Sequence, residues 1–145
     1  RYLVADAGVL LTTVTSIKGN GIPFLGLDAG MNTLLRPALY KTYHHILLAN
    51  DVRATHDTPY HLVGPICENT DEFASKRPLP KNISSGDVLA LLDTGAYGFS
   101  MSSQYNTQPR AAEVLVCEGK ADIIRQRENF SDIIRGVSIP DRLTT

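Results

Sequence analysis

Three short stretches hold side chains whose types and spacing suit chemistry. The first, Leu62-Val63-Gly64-Pro65-Ile66-Cys67-Glu68-Asn69-Thr70-Asp71, sets a thiol beside a carboxylate and ends on a second carboxylate. Gly64-Pro65 stops the apolar run, because proline donates no ladder hydrogen bond and restricts the residue before it. Reactive groups just past a strand end are a common way for a scaffold to hold chemistry on a loop. The second stretch is Arg36-Pro37-Ala38-Leu39-Tyr40. Its guanidinium fork can hold a carboxylate through two parallel hydrogen bonds, and on a helical turn Tyr40 shares a face with Arg36. The third, Gly95-Ala96-Tyr97-Gly98, is a small-residue loop that lets backbone approach a ligand closely. Taken singly, each also reads as ordinary packing: a small apolar cysteine beside a surface charge, an exposed arginine against a packing tyrosine, a glycine-rich turn with one structural tyrosine.

Composition narrows the classes. At 145 residues, one domain with one core is expected. The 14 basic and 15 acidic side chains nearly balance, and no basic run is present, so binding to nucleic acid through a phosphate-neutralising face is not expected. No apolar stretch approaches the roughly 20 residues that span a bilayer, which argues against a membrane partner, and no signal-peptide pattern is found. Cys67 and Cys117 are too few for a disulfide framework and lack metal-type spacing, so a reducing cytoplasm or organelle fits. His44, His45, His56 and His61 have no zinc-ligand partners at motif spacing and read as surface or partly buried groups. The chain opens at Arg1 in mid-pattern, as a longer protein cut short would.

The elements that must position the three stretches read mainly as strands. Tyr2–Val9 suggests a short helix, and the β-branched run from Val9 to Ile17 a strand. Lys18-Gly19-Asn20-Gly21 turns the chain into a returning strand, Phe24–Asp28. A short helical turn broken by Pro37 is expected within Gly30–Tyr43, then a strand at Ile46–Ala49. Asn50–Tyr60 reads as loop or weak edge strand, His61–Ile66 as a strand and Asp71–Pro80 as extended or irregular. Val88–Leu92 is a buried strand. Glu113–Cys117 and Ala121–Gln126 form a hairpin around Glu118-Gly119. Asn129 caps a closing helix that Gly136 stops, and Val137–Thr145 is a tail. Many short strands with little helix indicate an all-β barrel or sandwich.

Together the stretches resemble diaminopimelate decarboxylase. Gly64-Pro65-Ile66-Cys67-Glu68 with Asp71 is similar to that family's Gly-Pro-x-Cys-Glu-Ser-Gly-Asp signature, with Asn69-Thr70 standing where Ser-Gly is usual. Asp28-Ala29-Gly30-Met31-Asn32 followed by Arg36-Pro37-Ala38-Leu39-Tyr40 resembles its Asp-x-Gly-Met-x-x-x-x-Arg-Pro-Ala-Leu-Tyr motif. Gly95-Ala96-Tyr97 with Ser100, Ser103, Tyr105 and Asn106 resembles its Gly-Ala-Tyr-x-x-Ser-x-x-Ser-x-Tyr-Asn run, and Pro109–Val114 continues the likeness. Arg1 resembles the arginine that ends its Glu-Pro-Gly-Arg motif. The likeness runs from Arg1 to about Asp132 with the motifs in order.

The resemblance implies a mainly β fold: a Greek-key-like β-barrel or sandwich, with short helices, over residues 9–145 as the C-terminal domain of a carboxy-lyase dependent on pyridoxal phosphate. Residues 1–8 would be the last edge of a (β/α)8 barrel whose remainder, with the cofactor's lysine and phosphate-holding glycines, is absent. It implies decarboxylation of meso-diaminopimelate to L-lysine and CO2 in amino-acid biosynthesis, with the cofactor as electron sink. Arg36 and Arg1 would hold the distal carboxylate, Tyr40 would orient it, and Glu68 would meet the distal ammonium. Tyr97 would contact cofactor and substrate, and Cys67 would be the proton donor. It further implies a homodimer with sites at the interface, a cytoplasmic location (or a plastid in a plant), and an inactive isolated fragment. The alternatives are a non-catalytic β-domain serving dimerisation and a related ornithine or arginine decarboxylase, in which aspartate typically follows the cysteine.

Overall fold

The computed structural model describes residues 2–143; Arg1 lies outside them, and with it the role implied for that side chain. The chain divides into two compact units, Arg1–Ser102 and Ser103–Thr145.

The first unit is built on a six-stranded sheet. Its strands are β1 (Leu10–Lys18), β2 (Phe24–Leu27), β3 (Ile46–Leu48), β4 (Thr58–Val63), β5 (Glu72–Leu79) and β6 (Val88–Leu91), in the spatial order β3-β6-β1-β2-β4-β5. Neighbours pair antiparallel except β2 and β4, which run parallel. The two edge strands, β3 and β5, also touch, so the sheet curls into a nearly closed, barrel-like shape. Alternation puts one face inward: Val14, Leu25, Leu62, Leu89 and Leu91 are fully buried around the same core. Each such side chain stabilises the fold by about 1.5–3 kcal/mol relative to exposure.

A parallel pair needs a crossover, because a tight hairpin joins only antiparallel strands. Residues 28–57 make that crossover, and they carry helix α1, Arg36–Tyr40. Pro37 opens this helix rather than breaking it. It sits in the first turn, where its missing N–H is no loss, and Lys41 closes the turn in a left-handed conformation with its N–H donating to the Pro37 carbonyl.

The structure corrects or narrows three other readings. Tyr2–Val9 forms turns, not a helix: the Ala7 and Gly8 N–H groups close short loops onto Val4 and Ala5, and the segment is largely exposed. Asp71–Pro80, expected as extended or irregular, is extended, with Glu72–Leu79 a full strand; it tolerates Pro78 because β5 lies at the sheet edge, and Pro78 faces Pro59 where neither must donate. His44 is buried, with Nδ1 2.8 Å from the Leu92 carbonyl.

The second unit contains the hairpin β7 (Glu113–Cys117) and β8 (Lys120–Arg125) and the short helix α2 (Phe130–Ile133). Glu118 and Gly119 both take positive φ, as a two-residue hairpin turn requires. Asn129 and Asp132 exchange hydrogen bonds in a capping box, the helix is capped at Ile134, and Gly136 takes φ 83° in the turn that follows. Both faces of the hairpin carry exposed apolar side chains, among them Val116, Ile123 and Ile124. Among the described residues no helix is long and apolar enough to cross a membrane.

Candidate functional site

The loop that follows β4 is organised by one buried carboxylate. Asp71 is 4% exposed. Its Oδ2 accepts the Ile66 N–H at 2.7 Å and its Oδ1 accepts the Met31 N–H at 2.6 Å. One side chain therefore closes the loop bearing Cys67 and Glu68 and pins it to the loop that leads into α1. Gly30 and Gly64 permit the approach: a Cβ at either position would strike the Asp71 carboxylate. Burial pushes the Asp71 carboxyl above the usual carboxylate range, against the opposing pull of the Ile66 and Met31 N–H groups. At the other end of the 28–32 segment, Asp28 accepts from the Thr12 hydroxyl at 2.6 Å and the Thr13 N–H at 2.7 Å. Burial raises this carboxyl, but the hydrogen bonds outweigh it and hold it below its ordinary value.

Cys67 and Glu68 project from this tied loop. Cys67 is a free, exposed thiol, and Glu68 is exposed with Oε1 accepting the Thr70 N–H at 3.2 Å. Neither Asn69 nor Thr70 has positive φ, so the backbone does not require the glycine that relatives of the motif carry there. The Thr70 hydroxyl instead reaches the Met31 sulfur at 3.8 Å, adding a contact between the two loops.

Arg36 lies against two phenol rings. Its guanidinium carbon is 5.4 Å from the Tyr40 centroid and 5.7 Å from that of Tyr97, within cation–π range of both. Arg36 Nε is buried with no hydrogen-bond partner, whereas Tyr40 and Tyr97 are each more than half exposed. A buried donor without an acceptor is costly, so an anion arriving at this face meets a guanidinium whose Nε is already out of water. Tyr97 itself adopts φ 61°, an uncommon conformation for a bulky residue and one that recurs at ligand-handling positions. The Gly95 N–H donates to the Ala5 carbonyl at 2.9 Å, and the Thr94 N–H to that of Gly8 at 2.9 Å, so the N-terminal turns brace the Tyr97 loop.

The structure thus brings Arg36, Tyr40 and Tyr97 together, and joins the Cys67–Glu68 loop to the segment before Arg36. Sequence reasoning missed the work of Asp71: the type was visible as a second carboxylate, but its direction into the loop was not. Lys18, Lys41, Lys76, Lys81 and Lys120 are all exposed, and none is enclosed beside the Arg36 cluster.

A curled sheet with a crossover-borne arginine helix and a braced tyrosine loop is the fold of a known class of cofactor-enzyme domain. The sequence model of the pyridoxal-dependent decarboxylase C-terminal sheet domain matches residues 1–95. Diaminopimelate decarboxylase of Methanothermobacter thermautotrophicus is 54% identical over 143 residues, covering 99% of this chain and 33% of its own length. The enzyme of Archaeoglobus fulgidus is 46% identical over 143 residues, covering 99% of this chain and 34% of its own. The crystal structure of diaminopimelate decarboxylase from M. jannaschii, also solved with L-lysine, superposes with a TM-score of 0.89 at 39% identity, over 97% of this chain and 32% of that one. The chain belongs to the family of C-terminal sheet domains of pyridoxal-dependent decarboxylases. It spans about a third of the length of these curated relatives.

Proposed function

We propose that this chain is the substrate-facing sheet domain of a diaminopimelate decarboxylase, which releases CO2 from meso-diaminopimelate to give L-lysine. The observation that carries the reading is Arg36: a buried, unpartnered Nε in a guanidinium flanked by two exposed phenols. This donor set fits the carboxylate end of an amino acid, and a curated relative of that name is 54% identical over nearly the whole chain.

The proposed roles follow from side-chain chemistry. Arg36 grips the distal carboxylate, Tyr40 orients it through its hydroxyl, and Arg1 assists if it reaches the same face. Glu68, a carboxylate on a loop tied down by Asp71, takes the distal ammonium. Tyr97 braces cofactor and substrate. Pyridoxal phosphate, which the family uses, would supply an electron sink for the carbon that loses CO2. The Cys67 thiol then delivers a proton to that carbon, and solvent returns the proton to sulfur. The cofactor's lysine comes from the barrel that would precede this domain, with residues 1–8 as its last edge, so the isolated chain is inactive.

The working unit is a homodimer whose partner's loop completes each site. The exposed apolar side chains of the β7–β8 hairpin support a covered surface in the whole protein. Glu68, in place of the aspartate typical of ornithine and arginine decarboxylases, favours a substrate that ends in an amino-acid head.

In the full-length protein, Cys67→Ala lowers turnover of meso-diaminopimelate by about 10²-fold or more, while the visible absorbance band of bound pyridoxal phosphate persists. Unchanged turnover removes Cys67 from the mechanism, and faster turnover of ornithine than of meso-diaminopimelate overturns the substrate assignment.

A further inference from the structure

The first unit has a concave site that shares no lining residue with the Arg36 cluster or with the 64–71 loop. It is a hollow of about 360 Å³ between the segment entering β3, the approach to β4, and strand β5. Tyr43, His45, His56, Lys76 and Arg77 line it, and no aspartate or glutamate does. In a chain of net charge −1, that is a local concentration of cationic and N–H donor groups.

Its side chains are set in advance. Arg77 lies over the Tyr43 ring, with the guanidinium carbon 4.0 Å from the ring centroid. Stacking of that kind occupies the face of the guanidinium and leaves its N–H edges free for an oxyanion. The Tyr43 hydroxyl is 3.3 Å from His45 Nδ1, and the His45 and His56 rings stack with centroids 6.3 Å apart and planes 13° from parallel. Neither Lys76 nor Arg77 forms an ion pair among the described residues.

The backbone is also shaped at this point. Pairing between β4 and β5 jumps from Tyr60–Arg77 to Leu62–Ala74, so Ser75 and Lys76 together face His61. This bulge turns Lys76 and Arg77 relative to the regular alternation. Lys76 takes φ 49°, the one positive φ within a strand among the described residues, although it is not glycine. A strained, non-glycine bulge residue that adds a cation to a hollow is a combination that sheet stability alone does not favour.

We propose that this hollow binds the phosphate group of a small organic phosphate. A phosphate monoester carries nearly two negative charges at neutral pH and three acceptor oxygens, matching an ammonium, a guanidinium edge and imidazole N–H groups. The volume is at the lower end of ligand pockets, about 300–1,000 Å³, and leaves the His45–His56 stack to face the organic part.

The test uses the full-length protein loaded with pyridoxal phosphate, so that the cofactor's own phosphate site does not compete. With ¹³C-labelled histidine, the His45 and His56 signals are followed at constant ionic strength during titration with phenyl phosphate and with inorganic phosphate. Saturable shifts are expected, tighter for phenyl phosphate, with affinity weakened at least tenfold in both Lys76→Gly and Arg77→Gln. Glycine adopts the backbone angle at position 76 freely, so Lys76→Gly should melt no earlier than the parent, which separates lost binding from lost fold. Saturation by inorganic phosphate alone keeps the phosphate site and makes its ligand the free ion. Absence of saturation with either probe, as when another part of the full chain fills the hollow, overturns the proposal. So do equal affinities in the parent and both variants.

Discussion

Asp71 shows how one buried carboxylate can decide where the exposed side chains of a loop stand. Its two oxygens satisfy N–H groups from segments 35 residues apart in sequence, Met31 and Ile66. Asp71→Ala leaves the Ile66 N–H buried without an acceptor, at a cost of about 1–3 kcal/mol, with a smaller loss at the part-buried Met31 N–H. Asp71→Asn keeps one acceptor but sets an NH2 against the other donor, so its loss falls between the parent and the alanine variant. Thermal melting of the full-length protein checks the order, and equal melting of all three excludes Asp71 as the tie. At this scale the sequence was informative about type more than direction. The Arg36–Tyr40 pairing was legible because four residues make one helical turn. The approach of Tyr97 was not, because it depends on a loop 57 residues further along the chain than Tyr40.

Among the elements, the N-terminal turns and the Tyr97 loop are coupled by backbone alone. Gly8 and Gly95 pack so closely that a Cβ on either would overlap main chain of the other segment. Gly95→Ala therefore forces the segments apart, at a cost of about 1–3 kcal/mol typical of overpacking. Faster hydrogen exchange at the Gly95 amide, which now donates to Ala5, is the expected signature, and unchanged exchange contradicts the coupling. Most strands were readable from β-branched runs and turn signals, as with β1 and the β7–β8 hairpin. The wrong reading of Tyr2–Val9 and the open one of Asp71–Pro80 have a common origin. Local propensity made Tyr2–Val9 helical and left Asp71–Pro80 between extended and irregular, whereas the observed states are fixed by partners distant in sequence: Thr94 and Gly95 for the first, β4 for the second. Pro37 was misjudged for a different reason, since its effect depends on whether it opens a helix or interrupts one.

Across the whole molecule, the mainly β, barrel-like character was legible from the number of short strands, but the mixed strand order was not, because the parallel β2–β4 pair leaves no local mark. The division at Ser102 was not expected from length either. The second unit has its own electrostatic anchor. Arg110 donates to Glu128 through Nε at 2.8 Å and Nη2 at 2.6 Å, Gln104 and the Arg110 N–H add two more bonds, and the Glu128 carboxyl is lowered from 4.5 to about 2. Because the folded value is the lower one, this contribution is complete above pH 4.5 and is lost as pH falls through about 2. The Arg110 amide should thus lose exchange protection, after correction for intrinsic rate, between pH 5 and pH 2, and Glu128→Gln should lose most of that pH dependence. Identical profiles for parent and variant reject the assignment.

Strand β6 sets the order in which the first unit can be assembled. It is the hydrogen-bonded neighbour of both β3 and β1, with Leu91 facing Leu10 on one side and Ile46 on the other. Until the ribosome has released Leu91, β1 keeps a bare margin and β3 has no ladder partner, so apolar strands emerge early and wait. Sheets closed by such distant pairings form slowly, and exposed margins invite association between unfinished chains. Synthesis of this domain is accordingly most vulnerable to clumping over the interval between β1 and β6, which is the interval where a chaperone would have most to shield.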